Sequence, residues 1–148
     1  HDGFAGELGH VIIERNGRLC GCGRRGCLET YCSATGIVRT AKERNTPFLT
    51  SKDIYDAAVK GDETAIDIFK ETGTRLGIAF ADMVVFSSPE ACVLFGGLAK
   101  AGDFIVKYTK EAMEEAIMPI FKGKVKILLS TMKDADAAVL GASALAWQ

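Results

Sequence analysis

The chain has 148 residues, 48% of them hydrophobic and 25% charged, with a formal net charge of −1. That length and balance fit one compact domain with its own core and exclude a disordered charged tail. The near-zero charge carries no whole-chain footprint for nucleic acid, no apolar run is long enough for a membrane-spanning helix, and no stretch of these residues reads as a signal peptide.

Val11 to Glu14 reads as a short strand, and Asn16-Gly17 as a type I′ hairpin turn, which needs positive φ at both central residues. In that register Arg15 pairs with Arg18, and His10 falls opposite Gly23, beside Cys22 and near Cys20. His10, Cys20, Cys22 and Cys27 then bring three thiols and one imidazole together within eighteen residues. Zn²⁺ prefers S and N ligands in a tetrahedron, and a Cys₃His set is closed, so the metal would shape the loop and do no chemistry. The competing reading is ordinary buried or oxidised cysteines. The C-x-C spacing is too tight for an easy bridge, and it also departs from the common C-x₂-C knuckle. Arg24 and Arg25 fall at the solvated loop tip. Cys32 and Cys92 lie outside the cluster and read as small core residues.

Residues 28–43 form a helix by apolar spacing (Tyr31, Ala34, Ile37, Val38, Ala41), broken by Asn45-Thr46-Pro47. Ser51 caps a short helix that stops at Gly61. Asp62 caps a long one over 63–86, with Ile66, Phe69, Gly73, Leu76, Ala79, Phe80 and Met83 on its apolar face. Asp67, Lys70, Glu71 and Arg75 make its solvated side. Ser87-Ser88-Pro89 ends it. A buried strand over 91–95 leads into Gly96-Gly97 and a helix over 104–118, with Glu111, Glu114 and Glu115 outward and Pro119 as the stop. A second strand follows at 125–129. Asp134 or Asp136 caps a last helix over 137–147. Helices alternating with strands predict an α/β layer fold with a mixed sheet.

Glu7-Leu8-Gly9-His10 and the run from Cys20 to Glu29 (C-x-C-G-x-x-G-C-L-E) resemble the signature of the ROK family of repressors, open reading frames and sugar kinases. Phe4-Ala5-Gly6 extends the likeness upstream, and Gly61-Asp62, 76–79, Pro89, Gly96-Gly97 and Gly141-Ala142 extend it downstream. The resemblance implies an actin-like, ribonuclease-H-like architecture of two lobes around a cleft. The chain would be part of the C-terminal lobe: a zinc and sugar loop over 1–32, a helical segment over 33–88 and a nucleotide-side α/β segment over 89–148. The chain begins at His1 inside a family motif, so a longer parent is expected.

The same resemblance implies ATP-dependent phosphorylation of a hexose, glucose foremost, with Mg²⁺. Glu7, His10 and Glu29 match residues that contact sugar hydroxyls in ROK kinases. Charged acceptors bond strongly to hydroxyl donors. Without the resemblance, an isolated Glu before Gly-His is a surface residue. Gly96 and Gly97 match adenosine-side glycines; on their own they read more readily as a tight strand-to-helix turn. The family's Asp-x-Gly-Gly-Thr phosphate loop and catalytic Asp have no counterpart here, so no base is assigned and the isolated segment is expected to be inactive. Strands missing from the lobe would leave sheet edges to be covered by further chain or by a second copy, and a homo-oligomer is expected. Reduced thiols fit a cytoplasmic protein.

Two other classes compete. One is the sugar-sensing region of a ROK transcriptional repressor, which a helix-turn-helix far upstream would reveal. The other is a small zinc module that binds nucleic acid through Arg24 and Arg25. Two arginines are a poor footprint for it, and the helical remainder would have no purpose.

Overall fold

Two helices that touch through glycine form the centre of the molecule. A computed structural model describes residues 6–132 together with residues 136, 139, 140 and 143. The helices in chain order are α1 (Ala34–Glu43), α2 (Ser51–Val59), α3 (Glu63–Ser87) and α4 (Asp103–Ala116). The strands are β1 (Ala91–Leu94) and β2 (Lys126–Leu129), which pair in parallel with Cys92 opposite Ile127. Short 3₁₀ turns lie at Leu8–His10, Leu28–Thr30, Ala99–Ala101 and Pro119–Phe121.

Local chemistry explains the helix starts. Ser33 accepts from the Gly36 amide. Thr50 and Asp53 form a reciprocal capping box, so Thr50 is the cap and Ser51 the first helical residue. Asp62 accepts from the Ala65 amide and opens α3, as expected. Ser88, at φ 44°, closes it.

α3 is buried more widely than one stripe. Ile68, Thr72, Ala81 and Val84 join Phe69, Leu76 and Phe80 in the core, while Ile66 and Met83 are only half-buried. α4 approaches at Gly73 and Gly77, where a Cβ would meet Tyr108, Thr109 and Ala112. Removing those side chains lets the two backbones come close. Thr72 and Thr109, buried nearby, donate back to the carbonyls of Ile68 and Ile105, so neither hydroxyl is left unpaired.

Several expectations shift. The predicted helix over 28–43 is split: Leu28–Thr30 is a 3₁₀ turn, and α1 starts only at Ala34. The Ser33 cap and extended backbone stop the two from merging. The Asn16-Gly17 hairpin does not form. Gly17 bonds back to the Glu14 carbonyl instead, and Asn16 takes positive φ while Gly17 does not. Val11 to Glu14 is no regular strand and makes a single bridge from Ile12 to Cys27. Both described strands run parallel to one another. Cys92 is buried, whereas Cys32 is half-buried and donates to the Thr72 carbonyl. Phe4-Ala5, Asp134 and Gly141-Ala142 lie outside the described residues, as does most of the last predicted helix. No helix among the described residues is long and apolar enough to cross a membrane.

Candidate functional site

The loop before α1 is a three-part meander. Residues 18–20 run against 24–26, with Cys20 donating to the Arg24 carbonyl and Gly26 to the Arg18 carbonyl. The chain then returns along 11–13, where Ile13 donates to the Gly26 carbonyl and Leu28 to the Val11 carbonyl. Gly26 sits at φ 81°, and a Cβ there would run into the Glu14 carbonyl, so the crossing needs glycine. This register replaces the predicted one: His10 does not pair with Gly23, and its carbonyl accepts from the Arg24 guanidinium at 2.7 Å.

The crossing gathers the four candidate ligands. One donor atom from each of His10, Cys20, Cys22 and Cys27 lies within 4.8 Å of every other. Cys20 Sγ is 3.6 Å from His10 Nδ1, and Cys22 Sγ is 3.6 Å from Cys27 Sγ. Bonds of about 2.3 Å to sulfur and about 2.0 Å to nitrogen give tetrahedral edges of roughly 3.5–3.8 Å. The spacing therefore fits Zn²⁺ and is far longer than the ~2.05 Å of a disulfide. Cys27 is fully buried and Cys20 nearly so, while Cys22 is exposed. The Arg24 backbone N–H, followed by its guanidinium, lowers the Cys22 thiol to about 6. Cys20 donates to Glu29 Oε1 at 2.9 Å, and that bond raises its thiol to about 12.

The carboxylates flank the imidazole. Glu7 Oε2 is 3.8 Å from His10 Nε2, and Glu29 Oε1 is 3.8 Å from Nδ1. A metal on the Nδ1 side leaves Nε2 facing Glu7, free to donate a proton to an incoming group. Glu29 also lines a cleft with Leu19, Gly21, Ser33 and Arg39.

Sequence reading missed Arg18. Its side chain is 6% exposed although it is charged. It donates from Nε to Glu43 Oε1 at 3.0 Å, from Nη1 to the Thr30 and Gly36 carbonyls at 2.6 and 3.1 Å, and from Nη2 to Thr40 Oγ1 at 2.9 Å and to Glu43. Its Cζ stands 4.3 Å from the centre of the Tyr31 ring, and Arg75 of α3 stands 4.5 Å from the same centre. Arg75, expected to be plain surface, thus joins α3 to the loop. An arginine in a charged loop gives no warning that α1 will bury it.

Gly96 has φ 92°, and a Cβ on Gly97 would stand 3.0 Å from Ala34 Cβ, at the start of α1. Gly97, Leu98 and Ala101 join Tyr55 and Phe69 around a largely apolar cavity of about 280 Å³. The expected glycine pair is present, but its partners come from α2 and α3, too distant in sequence to be foreseen. This cavity and the cysteine cluster share no residue.

The ROK family profile matches residues 1–148. A glucokinase of Thermotoga maritima is 34% identical across 97% of this chain and 50% of its own length, so the chain spans about half of that relative. A Streptomyces griseus ROK glucokinase, solved with glucose and AMPPNP, superposes with a TM-score of 0.83 at 29% identity, over 95% of this chain and 51% of that one. A ROK transcriptional regulator homologous to the E. coli MLC protein follows at 0.75 and 28%, over 87% of this chain and 35% of that one. With a family match over its full length and the fold of these relatives, the chain belongs to the ROK family.

Proposed function

We propose that the chain supplies the sugar-holding and adenosine-side parts of a ROK sugar kinase, which transfers phosphate from ATP to a hexose, glucose foremost. Residues 1–32 are then the zinc and sugar loop, 33–88 the helical support and 89–148 the nucleotide side of a C-terminal lobe within a longer parent. The observation that carries this reading is the placement of Glu7 and Glu29 on opposite nitrogens of His10. Likeness to glucokinases, one of them solved with glucose and AMPPNP, supports it.

In this reading His10, Cys20, Cys22 and Cys27 hold a structural Zn²⁺, which fixes the loop. The carboxylates of Glu7 and Glu29 accept from sugar hydroxyls, and His10 Nε2–H donates to a hydroxyl oxygen. A site of charged acceptors rejects analogues that lack the matching hydroxyl. The Gly96-Gly97 backbone and the cavity beside Tyr55 and Phe69 receive the adenosine. Phosphoryl transfer depends mostly on positioning and on neutralising charge; the base and the Mg²⁺ ligands are assigned to no residue of this chain. The isolated chain should therefore turn over no ATP. A cytoplasmic homo-oligomer completes the reading; the outer sheet residues Val93 and Leu128 are exposed and call for cover, by further chain of the parent or by a second copy.

Calorimetric titration of the parent protein with glucose tests the site. Glu29→Gln should weaken binding about tenfold, the loss of one charge-assisted bond, while elemental zinc stays at one per chain. Equal affinity in the two proteins would overturn the sugar assignment. Likeness to the MLC-type regulator supports a second reading, a sugar sensor that phosphorylates nothing. A coupled assay on the parent protein separates the two: sugar-dependent ATP turnover marks the kinase, and sugar binding without turnover marks the sensor.

A further inference from the structure

We propose that Arg18 is a positioning residue for the Glu29 carboxylate and so for hexose recognition. The inference rests on the sugar-contact reading of Glu29. Arg18 grips the chain around that residue. Its Nη1 donates to the Thr30 carbonyl at 2.6 Å, one residue past Glu29. Its backbone N–H donates to the Tyr31 hydroxyl at 3.1 Å, and its guanidinium covers the Tyr31 ring. From the other side, Ser33 Oγ donates to the Glu29 carbonyl at 2.7 Å. The two consecutive peptides that follow the Glu29 Cα are therefore both pinned.

The guanidinium is itself anchored. Glu43 and Thr40 on α1 take Nε and Nη2, and the Gly36 carbonyl takes a second bond from Nη1. An ion pair serving stability alone would need only Glu43. The extra bonds run from the rigid helix to the turn that carries Glu29. The Arg18 side chain bonds to none of the four clustered metal-ligand candidates. Loss of its fork should thus loosen Glu29 and leave the metal in place. Lysine keeps the charge but lacks the planar fork, so it cannot span Thr30, Thr40 and Glu43 together. Displacement of a positioned group by about 1 Å is enough to weaken its function severalfold or more.

A double-mutant cycle in the parent protein over wild type, Arg18→Lys, Glu29→Gln and the pair tests this, with glucose affinity by calorimetry, zinc content and thermal midpoint as readouts. Arg18→Lys should weaken glucose about tenfold with zinc still at one per chain. In the Glu29→Gln background the same change should do nothing further, which a general structural defect would not reproduce. Equal weakening in both backgrounds, unchanged affinity, or loss of zinc would overturn the role. If Arg18→Lys does not fold, Glu43→Gln replaces it in the cycle, with a loss of about threefold expected and the same dependence on Glu29. Wild-type parent protein that takes up no glucose overturns the sugar reading itself and this role with it. Glucose binding that is indifferent to the Arg18 change overturns this role alone.

Discussion

Arg18 and Glu43 form an ion pair of unequal exposure, 6% against 52%. The guanidinium holds the Glu43 carboxyl below its ordinary value of 4.5, mainly by hydrogen bonding. A carboxyl depressed in the folded state adds stability above its unfolded pKa and loses it as pH falls through the folded one. The thermal midpoint should therefore drop below about pH 4.5, and Glu43→Gln should flatten that drop relative to wild type. Melting curves from roughly pH 6 to pH 3 measure it; parallel slopes in the two proteins would remove Glu43 from the account. The Lys52–Asp56 pair, on the surface of α2, is more open to solvent and should matter less.

At the scale of elements, the closest approach of α3 and α4 depends on Gly77. A Cβ there would collide with the Thr109 carbonyl oxygen and stand 2.8 Å from the Met113 amide nitrogen, both backbone atoms that cannot swing aside. Gly77→Ala gains helix propensity but forces the helices apart, a net loss of about 1–3 kcal/mol. Chemical denaturation measures it, with the solvent-side Thr74→Ala as a near-neutral control. A Gly77→Ala protein as stable as wild type would mean that α4 is free to shift. The sequence marks both helices by their spacing and by the Asp62 cap, yet not their contact. Glycine within a helical run reads only as a weak point until the partner that needs the space is known.

For the whole molecule, the cysteine loop and the helical body are joined through Tyr31, clasped between Arg18 of the loop and Arg75 of α3. Loss of metal should therefore be felt beyond the loop. Protein purified without added metal should carry one zinc, and a chelator should lower the thermal midpoint by several degrees, since a ligand bound only to the folded state stabilises it by mass action. Cys27→Ser, at the fully buried candidate ligand, should behave like the chelated protein. Zinc content near zero, or a bridge between Cys22 and Cys27, would overturn the metal assignment.

The sequence by itself determined the family signature, the candidate ligand set and most helix positions, because spacing, caps and glycine punctuation act over a few residues. It misjudged the loop register: Asn16-Gly17 carries a strong local turn signal, but the chain there also has to cross under Gly26, and that crossing decides the turn. Only the tertiary structure buried Arg18, brought Arg75 onto Tyr31 and set Tyr55 and Phe69 beside Gly97. Each of these contacts joins segments 13 to 44 residues apart. Such pairings arise when the whole core packs, and no local pattern encodes them.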